Sequence, residues 1–180
     1  MRTVQEGTLP TERLTVPVGK RDHIQGRPNA PITLLEYGDY QCPYCGQAFP
    51  IVKEVQRRRG DRLCFVFRDF PLTNVHPHAE HAAEAAEAAA AQGKFWDMHD
   101  ALFENQHALE DEDLYAYAEE LGLDAERLIR EVQAGKYAVK IREDFRSGVR
   151  SGVNGTPTFF INGERYDGAW GLEPLLQALE

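Results

Sequence analysis

An α/β fold arranged as β-α-β, then an all-helical block, then β-β-α, is predicted by three observations. Two short apolar runs, Ile32–Gly38 and Leu63–Phe67, flank a helical segment that opens at Pro43 and stops at Gly60. Strand, helix and strand in that order make a parallel unit. From His78 to Gly148 apolar residues recur at helical spacing. After that stretch Thr158–Asn162 returns to strand character, and Asn162-Gly163 is a strong hairpin signal.

A chain of 180 residues suits one domain, or one with a sizeable insertion. Its 42% hydrophobic and 27% charged residues are ordinary for a globular protein. A formal net charge of −9 argues against nucleic acid or an anionic membrane as partner. The densest basic run, Arg57-Arg58-Arg59, suits a helix C-terminus, where cations complement the dipole. No stretch approaches the ~20 apolar residues of a membrane helix. Met1–Gly19 lacks an apolar leader core and carries Glu6 and Glu12, so the expected location is the cytoplasm. Three cysteines are too few for a disulfide framework.

Taken in order, Leu14–Val18 reads as a short edge strand, because its Pro17 is tolerated only at an edge. Ile32–Gly38 is the first clear strand. Pro43 fits the first turn of a helix, where its missing N–H costs nothing. That helix runs to Arg59 with Phe49, Val52 and Val55 on one side, and Gly60 stops it. Leu63–Phe67 is apolar throughout and expected to be buried on both faces. His78–Gln92 is alanine-dense and closed by Gly93. Lys94–Gln106, Asp111–Leu121, Asp124–Ala134 and Tyr137–Gly148 follow as helices, with Asp111 and Asp124 as N-caps. Arg165–Tyr166 should pair antiparallel with the strand before the hairpin, and Gly171–Leu179 reads as a closing helix. The expected organisation is an N-terminal extension over 1–20, an α/β domain from 21–74 and 152–180, and a helical insertion over 75–151. That block is too long for a loop and must pack over the sheet.

Cys42-Pro43-Tyr44-Cys45 sits where the first clear strand hands over to its helix. A thiol there lies at the positive end of the helix, which stabilises the thiolate and lowers its pKa. Cys42 is therefore the candidate nucleophile and Cys45 the resolving thiol, with Pro43 and Tyr44 setting the thiolate's surroundings. A zinc site built from Cys42, Cys45 and Cys64 is the competing reading, but no second CxxC supports it. Thr156-Pro157 follows Asn154-Gly155 and leads into a strand. A cis proline there would lie beside the CxxC, with the Thr156 backbone facing an extended substrate. Glu36 is in phase with Ile32 and Leu34; burial would raise its pKa and fit it to accept the Cys45 proton. Asp39, the rival carboxylate, is assigned to the loop surface. Cys64 reads as a packing residue, His76, His78 and His81 as capping and surface groups, and Phe95, Trp96 and Phe103 as core.

With these elements in place the chain resembles the DsbA-like thioredoxin family. In particular it is similar to the bacterial stand-alone branch also found fused behind some sodium/proton antiporters. The likeness runs from about Arg21 to Leu179 and includes Asp22-His23-Ile24-Gln25-Gly26, Glu36-Tyr37-Gly38-Asp39, Phe67-Arg68-Asp69-Phe70-Pro71-Leu72, His76-Pro77-His78-Ala79 and Lys94-Phe95-Trp96. The resemblance implies a thioredoxin fold with a helical insertion and disulfide exchange with protein or peptide substrates. It further implies Cys42 as nucleophile, Cys45 as resolving cysteine, Pro157 as cis proline and Glu36 as buried acid.

Two positions depart from the best-known oxidising members: Tyr44 replaces a histidine and Thr156 replaces a valine, the latter as in the isomerase and reductase branch. The expected potential therefore lies between the strong oxidant's ~−120 mV and thioredoxin's ~−270 mV, with a reductase or isomerase lean. A thioredoxin- or glutathione-type redox partner is expected, with no cofactor, metal, nucleic acid or membrane. The alternative is a thioredoxin-like binding or redox-sensing module without significant turnover. Nothing in the sequence compels an oligomer.

Overall fold

Two adjacent strands carry the core of the computed structural model, which describes residues 12–180. These are β2 (Ile32–Gly38) and β3 (Leu63–Asp69), paired in parallel, with Leu34 opposite Phe65 and Glu36 opposite Phe67. Every residue of β3 is buried, as its unbroken apolar start predicts. β1 (His23–Gly26) adds antiparallel to β3, while β4 (Thr158–Ile161) and β5 (Glu164–Tyr166) extend the other side as a hairpin, giving the order β1-β3-β2-β4-β5. Asn162 and Gly163 both take positive φ (49° and 82°), the turn that the Asn-Gly pair favours.

Alternation divides the sheet into two faces. Ile32, Leu34, Leu63, Phe65, Phe67 and Phe159 join one core cluster with α1 (Pro43–Arg59) and the helical block. Leu35, Tyr37, Cys64, Val66 and Phe160 pack on the other face with Phe70 and Val153. Pro43 occupies the first turn of α1, and Gly60 ends it at φ 52°, ψ −128°, backbone that a side chain would strain. A short 3-10 turn (Gly60–Arg62) leads into β3.

Five helices lie between β3 and β4: α2 (Ala79–Ala91), α3 (Phe95–Glu104), α4 (Asp111–Glu120), α5 (Ala125–Gln133) and α6 (Ala138–Arg150). α7 (Leu172–Ala178) closes the chain against α1. Alanines fill the buried face of α2, which lets its neighbours approach closely. The same helix buries Glu87, which meets His23 (2.9 Å) and Lys140 (3.0 Å), and Lys140 in turn holds Asp144 at 2.7 Å. A charged seam therefore docks the helical block on β1 through His23, and Asp144 also accepts the Asp69 N–H of β3 (3.1 Å).

Two expectations are corrected. Residues 14–18 form no strand: the Val16 and Pro17 carbonyls accept from the Arg68 guanidinium (2.9 and 3.2 Å), which also grips Asp22. The strand lies instead at His23–Gly26. Among the described residues the earlier segment meets the sheet edge at 12–14: Arg13 bridges to Glu164, Leu14 N–H donates to the Gly163 carbonyl (2.8 Å) and Arg165 N–H donates to the Glu12 carbonyl (2.9 Å). The N-cap of α4 is Glu110, in a capping box with Asp113, so Asp111 sits in the first turn. Asp124 does cap α5, accepting from the Arg127 N–H at 3.0 Å. Residues 1–11 of the expected N-terminal extension and of the leader reading lie outside the described residues.

Candidate active site

β2 ends against the Phe67 ring at Gly38, where a Cβ would collide with that ring. The chain then turns through Asp39, Tyr40 and Gln41 and enters α1 with Cys42 as its extended N-cap residue. Asp39 is not at the loop surface: it is 1% exposed and organises the turn. Its Oδ1 accepts from the N–H groups of Gln41 (2.8 Å) and Cys42 (3.2 Å). Its Oδ2 accepts from Leu72 N–H (2.9 Å) and pairs with His76 Nδ1 (2.7 Å). His76 is thus tied to the turn that carries Cys42 and has more than a surface role. His81 pairs with Asp111 in an exposed setting, as a surface histidine would.

Cys42 and Cys45 stand one turn apart, both buried and not bonded to each other. The Cys42 thiol pKa is lowered to about 5. The largest cause is the hydrogen bond from the Cys45 thiol, working against burial; the Thr156 side chain and the N–H groups of Cys45 and Tyr44 add to it. Cys45 is pushed well above the usual thiol range, first by burial and then by its bond to Cys42 and the nearby Glu36. Pro43 and Tyr44 face solvent, Tyr44 at 61% exposure. Glu36 is buried with its Oε1 unpartnered, and its pKa is raised to about 8 by burial and then by the Cys42 charge.

The Thr156–Pro157 peptide is cis, and the Thr156 carbonyl oxygen lies 3.6 Å from Cys42 Sγ. Both residues are half-buried. The structure thus gathers Glu36, Cys42, Cys45, Thr156 and Pro157 around one sulfur pair. Cys64 is not among them. It packs on the opposite face of the sheet, so the three cysteines do not converge on a shared ion. Asp69, Glu87 and Asp144 bring carboxylates together, but the Lys140 ammonium already lies between Glu87 and Asp144.

The sequence places Asp39 and His76 at the surface and gives no signal for Gln106. The last, on the turn after α3, donates Nε2 to the Tyr40 carbonyl (3.0 Å) and the Cys42 carbonyl (2.8 Å). Tyr40 is also fully buried, its hydroxyl 3.0 Å from His99 Nδ1 inside a cage of Phe67 and Phe103.

A family model described as thioredoxin matches residues 19–180. The chain belongs to the thioredoxin family. It is 47% identical over 163 residues to a protein of Mycobacterium sp. (strain KMS) named Na(+)/H(+) antiporter NhaA 1, covering 89% of this chain and 27% of that protein. A second antiporter of that name, from Salinispora arenicola, is 48% identical over 177 residues, covering 98% of this chain and 26% of the other. The chain therefore spans about a quarter of the length of these relatives.

Among solved structures it is similar to a thioredoxin-like oxidoreductase from Silicibacter pomeroyi, with 29% identity, a TM-score of 0.79, and 89% of this chain and 91% of that one covered. BdbD from Bacillus subtilis superposes with a TM-score of 0.82 at 23% identity, covering 94% and 95%. The architecture is a DsbA-like thioredoxin fold, the fold of thiol–disulfide oxidoreductases. The resemblance and fold class expected from the sequence are borne out.

Proposed function

We propose that this chain exchanges disulfides with protein or peptide substrates through Cys42 and Cys45, leaning toward reduction and isomerisation. The single observation that carries the reading is the placement of two unbonded thiols one turn apart at the start of α1, beside the cis Thr156–Pro157 peptide, an arrangement that opposes their ionisation. One thiol is held near pKa 5 beside another held protonated. At neutral pH the Cys42 thiolate attacks one sulfur of a substrate disulfide, a mixed disulfide forms, and the second substrate sulfur leaves as thiolate. Cys45 then gives up its proton and attacks Cys42 Sγ. The captured substrate sulfur leaves reduced, and Cys42 and Cys45 end as a disulfide. A thioredoxin- or glutathione-type thiol partner returns the two electrons.

Glu36 is the proton acceptor in this scheme. While Cys42 is a thiolate, burial and that charge hold the Glu36 carboxyl near pKa 8. The mixed disulfide erases the charge, the smaller of the two causes, so the Glu36 carboxyl ionises more readily and can take the Cys45 proton. Thr156 and Pro157 form the wall that an extended substrate meets. The reductive lean rests on Tyr44 and on Cys42. Tyr44 is uncharged and supplies no cation to the thiolate. A value near 5 for Cys42 falls between the ~3.5 of the strong oxidant and the ~7 of thioredoxin. Such a lean suits a cytoplasmic setting.

Insulin reduction and refolding of a scrambled substrate test the proposal. Cys42→Ser abolishes both, and glutathione equilibration gives a potential between ~−120 and ~−270 mV. Retained activity in Cys42→Ser would sink the exchange reading, and a potential at the oxidising limit would sink the lean. The antiporter relatives support one rival, a docking or redox-sensing module. It predicts negligible turnover by the native chain, with partner binding unchanged in Cys42→Ser.

A further inference from the structure

We propose that Gln106 is a positioning residue for the Cys42 thiolate, through which the helical block sets the reactivity of the redox pair. This rests on the disulfide-exchange reading above. The segment leading into α1 is held from two sides. Asp39 takes the N–H groups of Gln41 and Cys42. From the opposite direction, the single amide of Gln106 donates to the carbonyls of Tyr40 and Cys42. The Cys42 carbonyl also accepts the first intrahelical bond, from Gly46 N–H at 3.1 Å. Its orientation therefore governs how the thiolate meets the N–H groups of Tyr44 and Cys45 that help to stabilise it. No other side chain contributed by α2 to α6 or their connecting turns donates a hydrogen bond to the described backbone from Tyr40 to Cys45.

Gly46 supplies an independent observation. Glycine inside a helix is less favourable than alanine. Its φ is not positive, so backbone conformation does not demand it. What demands it is space: a Cβ there would lie 2.6 Å from Gln106 Cδ and closer still to the amide oxygen. The glycine is the seat of the Gln106 amide. Adding a methyl group at this position evicts the amide while leaving the fold intact, because the crowded atoms belong to the end of a flexible side chain.

Three variants test this: Gln106→Met, which keeps the length and removes the donors, Gln106→Ala, and Gly46→Ala. The readouts are the pH midpoint of Cys42 alkylation, the glutathione potential and the melting temperature of the reduced form. Each variant should raise the midpoint by about 0.5–1 pH unit, a loss of about three- to tenfold in thiolate at a pH below it. The potential should become more reducing. Gly46→Ala combined with Gln106→Ala should be no worse than Gln106→Ala alone, because the evicted group is already gone. The proposal is overturned if melting falls while midpoint and potential stay at native values, or if the two alanine substitutions add. Alkylation reads the sulfur and not turnover, so this result is separate from the Cys42→Ser test of exchange.

Discussion

The reactivity of Cys42 is set by what surrounds one sulfur atom, and the largest contribution is its neighbour's S–H group. Alkylation of the native reduced protein should therefore show a midpoint near pH 5. Cys45→Ala should move that midpoint upward toward the ordinary thiol range, by more than loss of any single backbone donor could. Glu36→Gln should slow resolution of the mixed disulfide by about tenfold or more in a stopped-flow assay. It should also remove the Glu36 inflection from that step, which loss of the Cys42 charge places below pH 8 in the mixed disulfide, while initial attack by Cys42 stays nearly unchanged. A Glu36→Gln enzyme with native resolution kinetics would remove Glu36 from the reaction. At this scale the sequence was legible where chemistry is local. CxxC spacing and the phase of Glu36 with Leu34 need no tertiary knowledge. The burial of Asp39 is not legible in the sequence, because its four partners come from the turn itself and from Leu72 and His76, residues far along the chain.

Helix ends and strand edges mark where elements could and could not be read in advance. Asp124 was legible as a cap because its carboxylate serves its own helix at Arg127. Asp124→Ala should cost about 1 kcal/mol, seen as a fall of roughly 2–4 °C in melting temperature. An unchanged melting curve would show that α5 does not depend on the cap. The sequence points to an α4 cap one residue late, because Glu110 and Asp111 are both acidic and only the reciprocal bond with Asp113 separates them. β1 escaped notice because His-Ile-Gln-Gly has no alternation. It is a strand because β3 offers it a partner and because the Trp96 indole N–H holds the Ile24 carbonyl (3.1 Å). The neighbouring Leu14–Val18 alternates well yet forms no strand, since its carbonyls are claimed by Arg68.

For the whole molecule, the depressed Cys42 pKa ties redox state to stability. A thiol that ionises near 5 in the fold and near 9 when unfolded stabilises the reduced form fully above pH 9. That stabilisation is lost as pH falls through 5. The raised Glu36 works in the other sense, costing stability as pH climbs from 4.5 to about 8. Its burial is common to both redox forms and largely cancels between them. The melting temperature of the reduced form minus that of the oxidised form should therefore rise from pH 5 to pH 8. A flat or falling difference would contradict the thiolate assignment. A last property follows from how the sheet's margins are finished. Residues 12–14 are hydrogen-bonded along β5 through Leu14 N–H to Gly163 and Arg165 N–H to Glu12, and an indole already occupies part of the β1 rim. Two molecules colliding margin to margin find few rungs free, so even crowded solutions should resist the ladder-like growth that seeds fibrils.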